Sequence, residues 1–233
     1  MLTESLARFV AESGAGEPDD EAMRIVSAGF VDTVATMLGG AAEPVVGIVE
    51  SFVAARNSGQ REASILLGNR RCGSADAALI NATSAHALDF DDVALGGHPS
   101  TVLVPAVLAE GERLGASGRD AIIAYLVGYE VWSELVRREP DSYHVKGWHP
   151  TAVLGTVASA AAVAYLNRLP PAICGHSLAL AASMAAGLVA NFGTMTKPYH
   201  AGRAASCGID AVHLAMSGMS ASPDALEHHA GFL

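Results

Sequence analysis

The chain is poor in cysteine, in aromatic residues and in charge. Its 3 cysteines, Cys72, Cys174 and Cys207, lie far apart with no C-x-x-C spacing. Neither an iron–sulfur cluster nor a cysteine zinc site is indicated, and a reducing, cytoplasmic setting fits them best. Aromatic residues make up 6% and charged residues 16% of the 233 positions, whereas 51% are hydrophobic. That balance excludes a disordered or fibrous chain and allows a substantial core. Basic residues are scarce too: 14 Lys and Arg stand against 24 Asp and Glu, for a net charge of -10. Nucleic acid and anionic membrane are therefore not expected as partners, and an anionic ligand must be held by a local cluster working against the global field. The most apolar stretches, 152–166 and 178–192, are mostly alanine and fall short of the ~18 residues a membrane span needs. The opening MLTESLARFVAE lacks the cationic-then-apolar order of a signal peptide. A soluble, unprocessed protein is expected.

Strand signals are also sparse. Only Ala63 to Leu67, before Gly68, reads as a short strand, while almost every other segment repeats its apolar residues at helical spacing. Met23, Val26, Phe30, Val34 and Met37 mark one helix face. Ser117 and Asp120 form a capping box with Asp in place of the usual Glu. The prediction is one all-α domain over 1–233, a helical bundle whose central helices are Thr151 to Leu166 and about Cys174 to Val189. Both are small-residue stretches that let helix backbones approach closely. Loops are punctuated by Gly96-Gly97, Gly115, Pro140, Pro170-Pro171 and Pro223, none long enough to be a linker. Glu130, inside the apolar YLVGYEVW, is expected to be buried with a partner.

What the sequence does have is a recurrent pattern of a cationic or titratable residue before proline. His98-Pro99, His149-Pro150 and Lys197-Pro198 each open a small-residue run, and proline is tolerated in a first helical turn because its missing amide would be unpaired there. Helix N-termini carry free amides and about half a positive charge, so three converging ends would enclose a site for a small polyanion. The stretch His86-Ala-Leu-Asp89-Phe-Asp91-Asp92 gathers three carboxylates, at least one of which should have a raised pKa unless a cation sits among them. It reads as a solvated acidic loop or as a site, with a metal centre disfavoured because no histidine–carboxylate set at metal spacing is evident. Lys197, His200 and Arg203 follow at successive three-residue steps, either a solvated face or a stripe that recognises carboxylates.

The segments NATSAHALDFDD, GGHPS, AYLVGYEV, GWHPTAVLGT and especially NFGTMTKPYHAGRAA resemble the MmgE/PrpD family, which includes 2-methylcitrate dehydratase, cis-aconitate decarboxylase and iminodisuccinate epimerase. The resemblance runs in order from about residue 3 to the end. It implies an all-helical domain, usually homodimeric, without metal or other cofactor. Residue by residue, it implies that Asp89 corresponds to the catalytic aspartate of the decarboxylase branch, His98 and His149 to its pocket histidines, and Lys197 to its first pocket lysine. A pocket threonine of that branch falls here at Val93, a departure from the cis-aconitate pattern. Family enzymes carry a second α+β domain that closes over the pocket, and this chain stops at GFL, about where that domain would begin.

Family reactions break a bond on a carbon next to a carboxylate, so they need cations to hold developing charge and a side chain near neutral pKa to move a proton. The expected assignment is Asp89, His149 and Lys197 as catalytic residues, with His98, His200 and Arg203 binding substrate. The leading expectation is a lyase of the methylcitrate dehydratase type acting on a small di- or tricarboxylate. Decarboxylation or epimerisation on the same residues, or a non-catalytic helical subunit, are the alternatives. A homodimer, or a complex with a lid-bearing subunit, is expected as the working form.

Overall fold

The computed structural model describes residues 1–13, 18–56, 59–66, 68–139 and 141–233. It is a bundle of α-helices: α1 (Leu2–Glu12), α2 (Asp20–Gly40), α3 (Pro44–Arg56), α4 (Ser74–Ala85), α5 (Pro99–Leu114), α6 (Gly118–Arg138), α7 (Pro150–Leu166), α8 (Pro171–Met184) and α9 (Thr196–Met216). The expected strand is present as β1 (Ala63–Ile65), paired antiparallel with β2 (Arg70–Cys72) so that Ala63 faces Cys72. The second strand, Arg70-Arg71-Cys72, carries no strand signal in its side chains. Leu67, expected in the strand, and Pro140, expected in a loop, lie outside the described residues.

Helix α7 occupies the centre, as its all-round small residues predict: of Pro150 to Leu166, only Tyr165 is not buried. The second central helix is α9 rather than the expected 174–189 segment. It packs against α4, α7 and α8 and buries thirteen of its residues, among them Gly202 and Gly208. A Cβ at Gly208 would overlap Ser159 Oγ, and one at Gly202 would overlap Thr83 Oγ1, so glycine is what lets α9 lie against α7 and α4. Ser159 Oγ donates across the same contact to the Ala204 carbonyl at 3.0 Å.

Helix α8 stops at Met184 for a reason that bears on function. From Ala185 the chain is extended, and Gly187, with φ of 146°, lies so close to the His200 ring and Ala152 that any side chain would collide. There His149 N donates to the Gly187 carbonyl at 2.9 Å, and Val189 N to that of Gly147 at 3.0 Å. The predicted helix thus holds over Cys174–Met184, and its last residues, Ala185 to Leu188, instead form an extended wall that crosses beside His149 and His200.

On α2 the buried residues Val26, Thr33 and Met37 fall on the predicted face, with Phe30 packed beside them. Its other side exposes Ile25, Val31 and Leu38, next in sequence to Ile48 and Phe52 exposed on α3. At 21 residues α2 is long and apolar enough, by length and composition, to cross a membrane, a span the sequence reading did not single out. Asp20, Glu21, Arg24 and Asp32 are exposed on it. Ser117 and Asp120 form the expected capping box at the start of α6. Glu130 is exposed, not buried, because its position on α6 turns away from the α5–α7 contact that takes Val127, Gly128 and Val131.

Candidate active site

Two of the proline-marked helix starts abut. His98 and His149 are the N-cap residues of α5 and α7, each followed by proline at the first helical position, and neither imidazole caps its own helix. The side chains are therefore free for other contacts. His98 N donates to Thr151 Oγ1 at 3.1 Å, and a Cβ at Gly97 would press on Trp132 and the Thr151 backbone, so this glycine lets the turn reach α7. The third motif differs: α9 begins at Thr196, placing Lys197 and Pro198 inside its first turn. His86 joins from the C-terminal end of α4, as its C-cap.

The four histidines form a connected group. The His86 ring lies 4.7 Å from that of His98 and 5.8 Å from that of His149, edge-on to the first and stacked with the second. His149 Nδ1 stands 3.2 Å from His200 Nδ1, so one of these nitrogens donates and the other accepts. Phe192 packs edge-on against His149 at 4.7 Å and carries the Lys197 ammonium 5.1 Å above its ring, which places Lys197 one aromatic ring away from His149. Cation–π contacts of this kind favour a held ammonium.

The carboxylates of the Asp89-Phe-Asp91-Asp92 stretch divide into separate roles. Asp89 is half exposed and adopts the left-handed conformation with φ of 57°, which aspartate tolerates better than most residues. Lys197 Nζ contacts its carboxylate at 2.5 Å, and His98 Nε2 lies 3.7 Å from the same oxygen. Asp91 is buried, accepts from His86 Nδ1 at 2.9 Å, and stands 3.1 Å from His98 Nδ1, a charge contact off the line of a linear hydrogen bond. Asp92 accepts from Ser100 N at 3.2 Å and Ser100 Oγ at 2.9 Å, so it caps α5 from the preceding loop.

Burial and these contacts set the protonation states. Burial opposes ionisation of Asp91, but hydrogen bonds and charge from His86 and His98 outweigh it and hold the carboxyl well below its usual range. In Asp92 burial prevails over the Ser100 hydrogen bonds and raises the pKa, with the Asp91 charge adding only a smaller push. For His98 burial favours the neutral ring, yet Asp91 and Asp89 together raise its pKa. His149 is the opposite case: burial first, then the neighbouring His86, His200 and Lys197 charges, lower it to about 2. Burial and His86 lower His200 likewise. His149 is thus a neutral imidazole at ordinary pH, not one of the cations a polyanion site would count on. The cation at the rim is Lys197, and beside it the Asp91 and Asp89 charges favour the protonated form of His98.

The structure brings together Asp89, His98, His149 and Lys197. His200 reaches the group through His149, and it is itself 7% exposed, behind that ring. Arg203 lies farther along α9, where its charge acts on Cys207 and Asp210. Phe192 carries no site signal in the sequence, and His86 and Asp91 figure there only as members of the acidic stretch, without a role. The signal for that pair was present in the spacing of His86 to Asp91, which a chain turning sharply after α4 closes into contact. His86, Asp89, Asp91 and His98 also present one ligand atom each within 4.8 Å of one another, spacing that could hold a metal ion. The sequence reading saw no such set because His98 lies beyond the Gly96-Gly97 turn that brings it back. In this arrangement Lys197 already places a positive charge on Asp89.

The MmgE/PrpD N-terminal domain model matches residues 4–233, and the chain belongs to that family. It is 38% identical to a human cis-aconitate decarboxylase over 162 residues, 67% of this chain and 34% of the relative. The mouse cis-aconitate decarboxylase is 37% identical over 162 residues, covering 67% of this chain and 33% of its own. A cis-aconitate decarboxylase-like protein of Aspergillus oryzae is 33% identical over 140 residues, 54% of this chain and 28% of that protein. The chain spans about a third of the length of these relatives.

Proposed function

We propose that this chain supplies the proton-transfer and carboxylate-holding residues of a lyase acting on a small tricarboxylate of the cis-aconitate type. The observation that carries the reading is the Lys197–Asp89–His98 contact at the rim of a buried histidine group. Two groups favouring positive charge face one carboxylate there, beside a neutral imidazole. A substrate carboxylate that displaces Asp89 from Lys197 would meet the ammonium and His98 Nε2 together. Both are charge-assisted donors, worth more than neutral ones where water is scarce.

In a decarboxylation the bond to the leaving carboxylate breaks, its electron pair passes into the adjoining unsaturated acid, carbon dioxide departs and a proton is added at carbon. Lys197 and His98 would hold the remaining carboxylates as charge moves onto them. The proton added at carbon comes from the Lys197 ammonium, which regains one from water through the half-exposed Asp89 paired with it; His149, neutral and hydrogen-bonded to His200, lines the site. The relatives favour decarboxylation over the dehydration first expected. Val93, 76% exposed on the loop after Asp92, is the position at which a pocket hydroxyl is replaced.

No metal is invoked in these steps. The exposed apolar residues of α2 and α3 are the surface on which we place a second chain, either a copy or a lid-bearing subunit, and catalysis by the isolated chain should be slow without water exclusion. The test is a product assay by mass spectrometry with cis-aconitate, 2-methylcitrate and citrate. Carbon dioxide release from cis-aconitate that is lost in Lys197→Ala supports the reading. Water loss from 2-methylcitrate with cis-aconitate untouched would return it to the dehydratase type.

A further inference from the structure

We propose that Asp91 is the positioning residue of this site: its carboxylate fixes the ring orientation and proton placement of His86 and His98, so that the Nε2 of His98 is the nitrogen presented to substrate. The inference rests on the lyase reading for its consequence, but its geometry stands apart from it. The Asp91 side chain is fully buried between two imidazoles. Both of its oxygens lie 2.9 to 3.0 Å from His86 Nδ1, and Oδ2 lies 3.1 Å from His98 Nδ1.

A carboxylate oxygen accepts, so the His86 Nδ1 that hydrogen-bonds it carries the hydrogen, and the His98 Nδ1 held 3.1 Å from Oδ2 is stabilised as N–H by the same negative charge. In both rings that nitrogen is Nδ1, which leaves Nε2 to face elsewhere. His98 Nε2 is 3.7 Å from Asp89, on a side chain 15% exposed, and it is therefore the nitrogen turned toward the half-exposed Asp89 rim. Among the described residues His86 Nε2 is buried without a hydrogen-bond partner, while its ring stacks on His149. One buried carboxylate thus sets two rings directly and supports the wall of a third.

Asparagine at this position would keep the shape and remove the symmetry. Its amide offers one accepting oxygen and one donating nitrogen, so one of the two imidazoles would have to change tautomer or flip. This follows the logic by which a buried aspartate holds a catalytic histidine in one tautomer.

Long-range proton–nitrogen correlation spectra of the full chain with labelled histidine report the tautomers directly. The expected spectrum has hydrogen on Nδ1 of His86 and His98. In Asp91→Asn the His98 pattern should change, and affinity for cis-aconitate should fall about 10- to 100-fold, as for loss of a hydrogen bond to a charged group. His98 protonated on Nε2 alone, or Nδ1 nitrogens bare as a bound metal would leave them, overturns the proposal. So does an Asp91→Asn protein whose spectrum and affinity match the wild type. If Asp91→Asn does not fold, the wild-type spectrum decides. A wild-type spectrum as expected from a protein that does not bind cis-aconitate sinks the lyase reading and supports the assignment of Asp91.

Discussion

Removing the charge of Glu110 should cost the bundle a measurable part of its stability and blunt its sensitivity to acid. Glu110 is a fully buried carboxylate on α5. It accepts from Arg113 Nε and Nη2 at 3.0 and 2.7 Å, from Asn167 Nδ2 at 2.8 Å and from His213 Nε2 at 3.0 Å. The set ties the ends of α5, α7 and α9. Burial alone would raise its pKa, but the hydrogen bonds from His213, Arg113 and Asn167 lower it from 4.5 to about 2. A drop of that size is worth about 3 kcal/mol in favour of the folded state at neutral pH. Because the folded pKa is the depressed one, the stabilisation is fully present above pH ~4.5 and is lost as pH falls toward ~2. Glu110→Gln should therefore unfold in urea with a free energy about 2 to 3 kcal/mol lower at pH 7, the partial exposure of Arg113 easing the loss. The m-value should be unchanged. The difference between wild type and variant should shrink steadily between pH 4.5 and pH 2. A variant within about 0.5 kcal/mol of wild type at pH 7, or a difference that does not vary with pH, would refute this account of the network.

Other outcomes follow from the packing and the site. Gly208→Ala, which forces a methyl onto Ser159, should destabilise the chain by about 3 kcal/mol and lower its thermal midpoint; an unchanged midpoint would mean that α7 and α9 can separate at no cost. Lys197→Ala should reduce turnover of cis-aconitate about 10²- to 10³-fold, with the circular dichroism of the bundle retained, and wild-type rates in the variant would remove the lysine from the mechanism. Chelator treatment should leave ligand binding intact, whereas loss of binding with rescue by a single metal would make His86, Asp89, Asp91 and His98 a metal centre. Replacing Val31 and Phe52, 71% and 51% exposed, by Lys should shift the sedimentation of the purified protein toward a smaller species if that face is covered, and leave it unmoved if it is not.

The bundle was legible because small residues on every face of α7 leave no other place for it than the centre, and because Ser117 and Asp120 announce their helix end. The break of α8 at Met184 was not legible. Ala-Ala-Gly-Leu-Val-Ala continues a helical pattern, and what ends it is the tertiary contact of Gly187 with His200 and the backbone pairing with Gly147 and His149. At the site His98 and His149, each followed by proline, pointed the right way because an N-cap whose side chain does not cap is free for other contacts. The roles within DFDD stayed hidden, since three neighbouring aspartates look alike until the chain's left-handed turn at Asp89 sends one to Lys197, one to the histidines and one to Ser100. Pattern likewise says nothing of charge state: His149 reads as a cation in sequence, and burial makes it neutral.

The central claim is that Lys197 and His98 hold a substrate carboxylate at the Asp89 rim. The measurement that tests it most directly is a titration of the labelled protein with cis-aconitate, followed by nuclear magnetic resonance. The account predicts saturable shifts centred on Asp89, His98, Phe192 and Lys197, with competition by citrate and loss of the shifts in Lys197→Ala. Saturable shifts centred elsewhere on the bundle, or shifts at the rim that persist undiminished in Lys197→Ala, would contradict it.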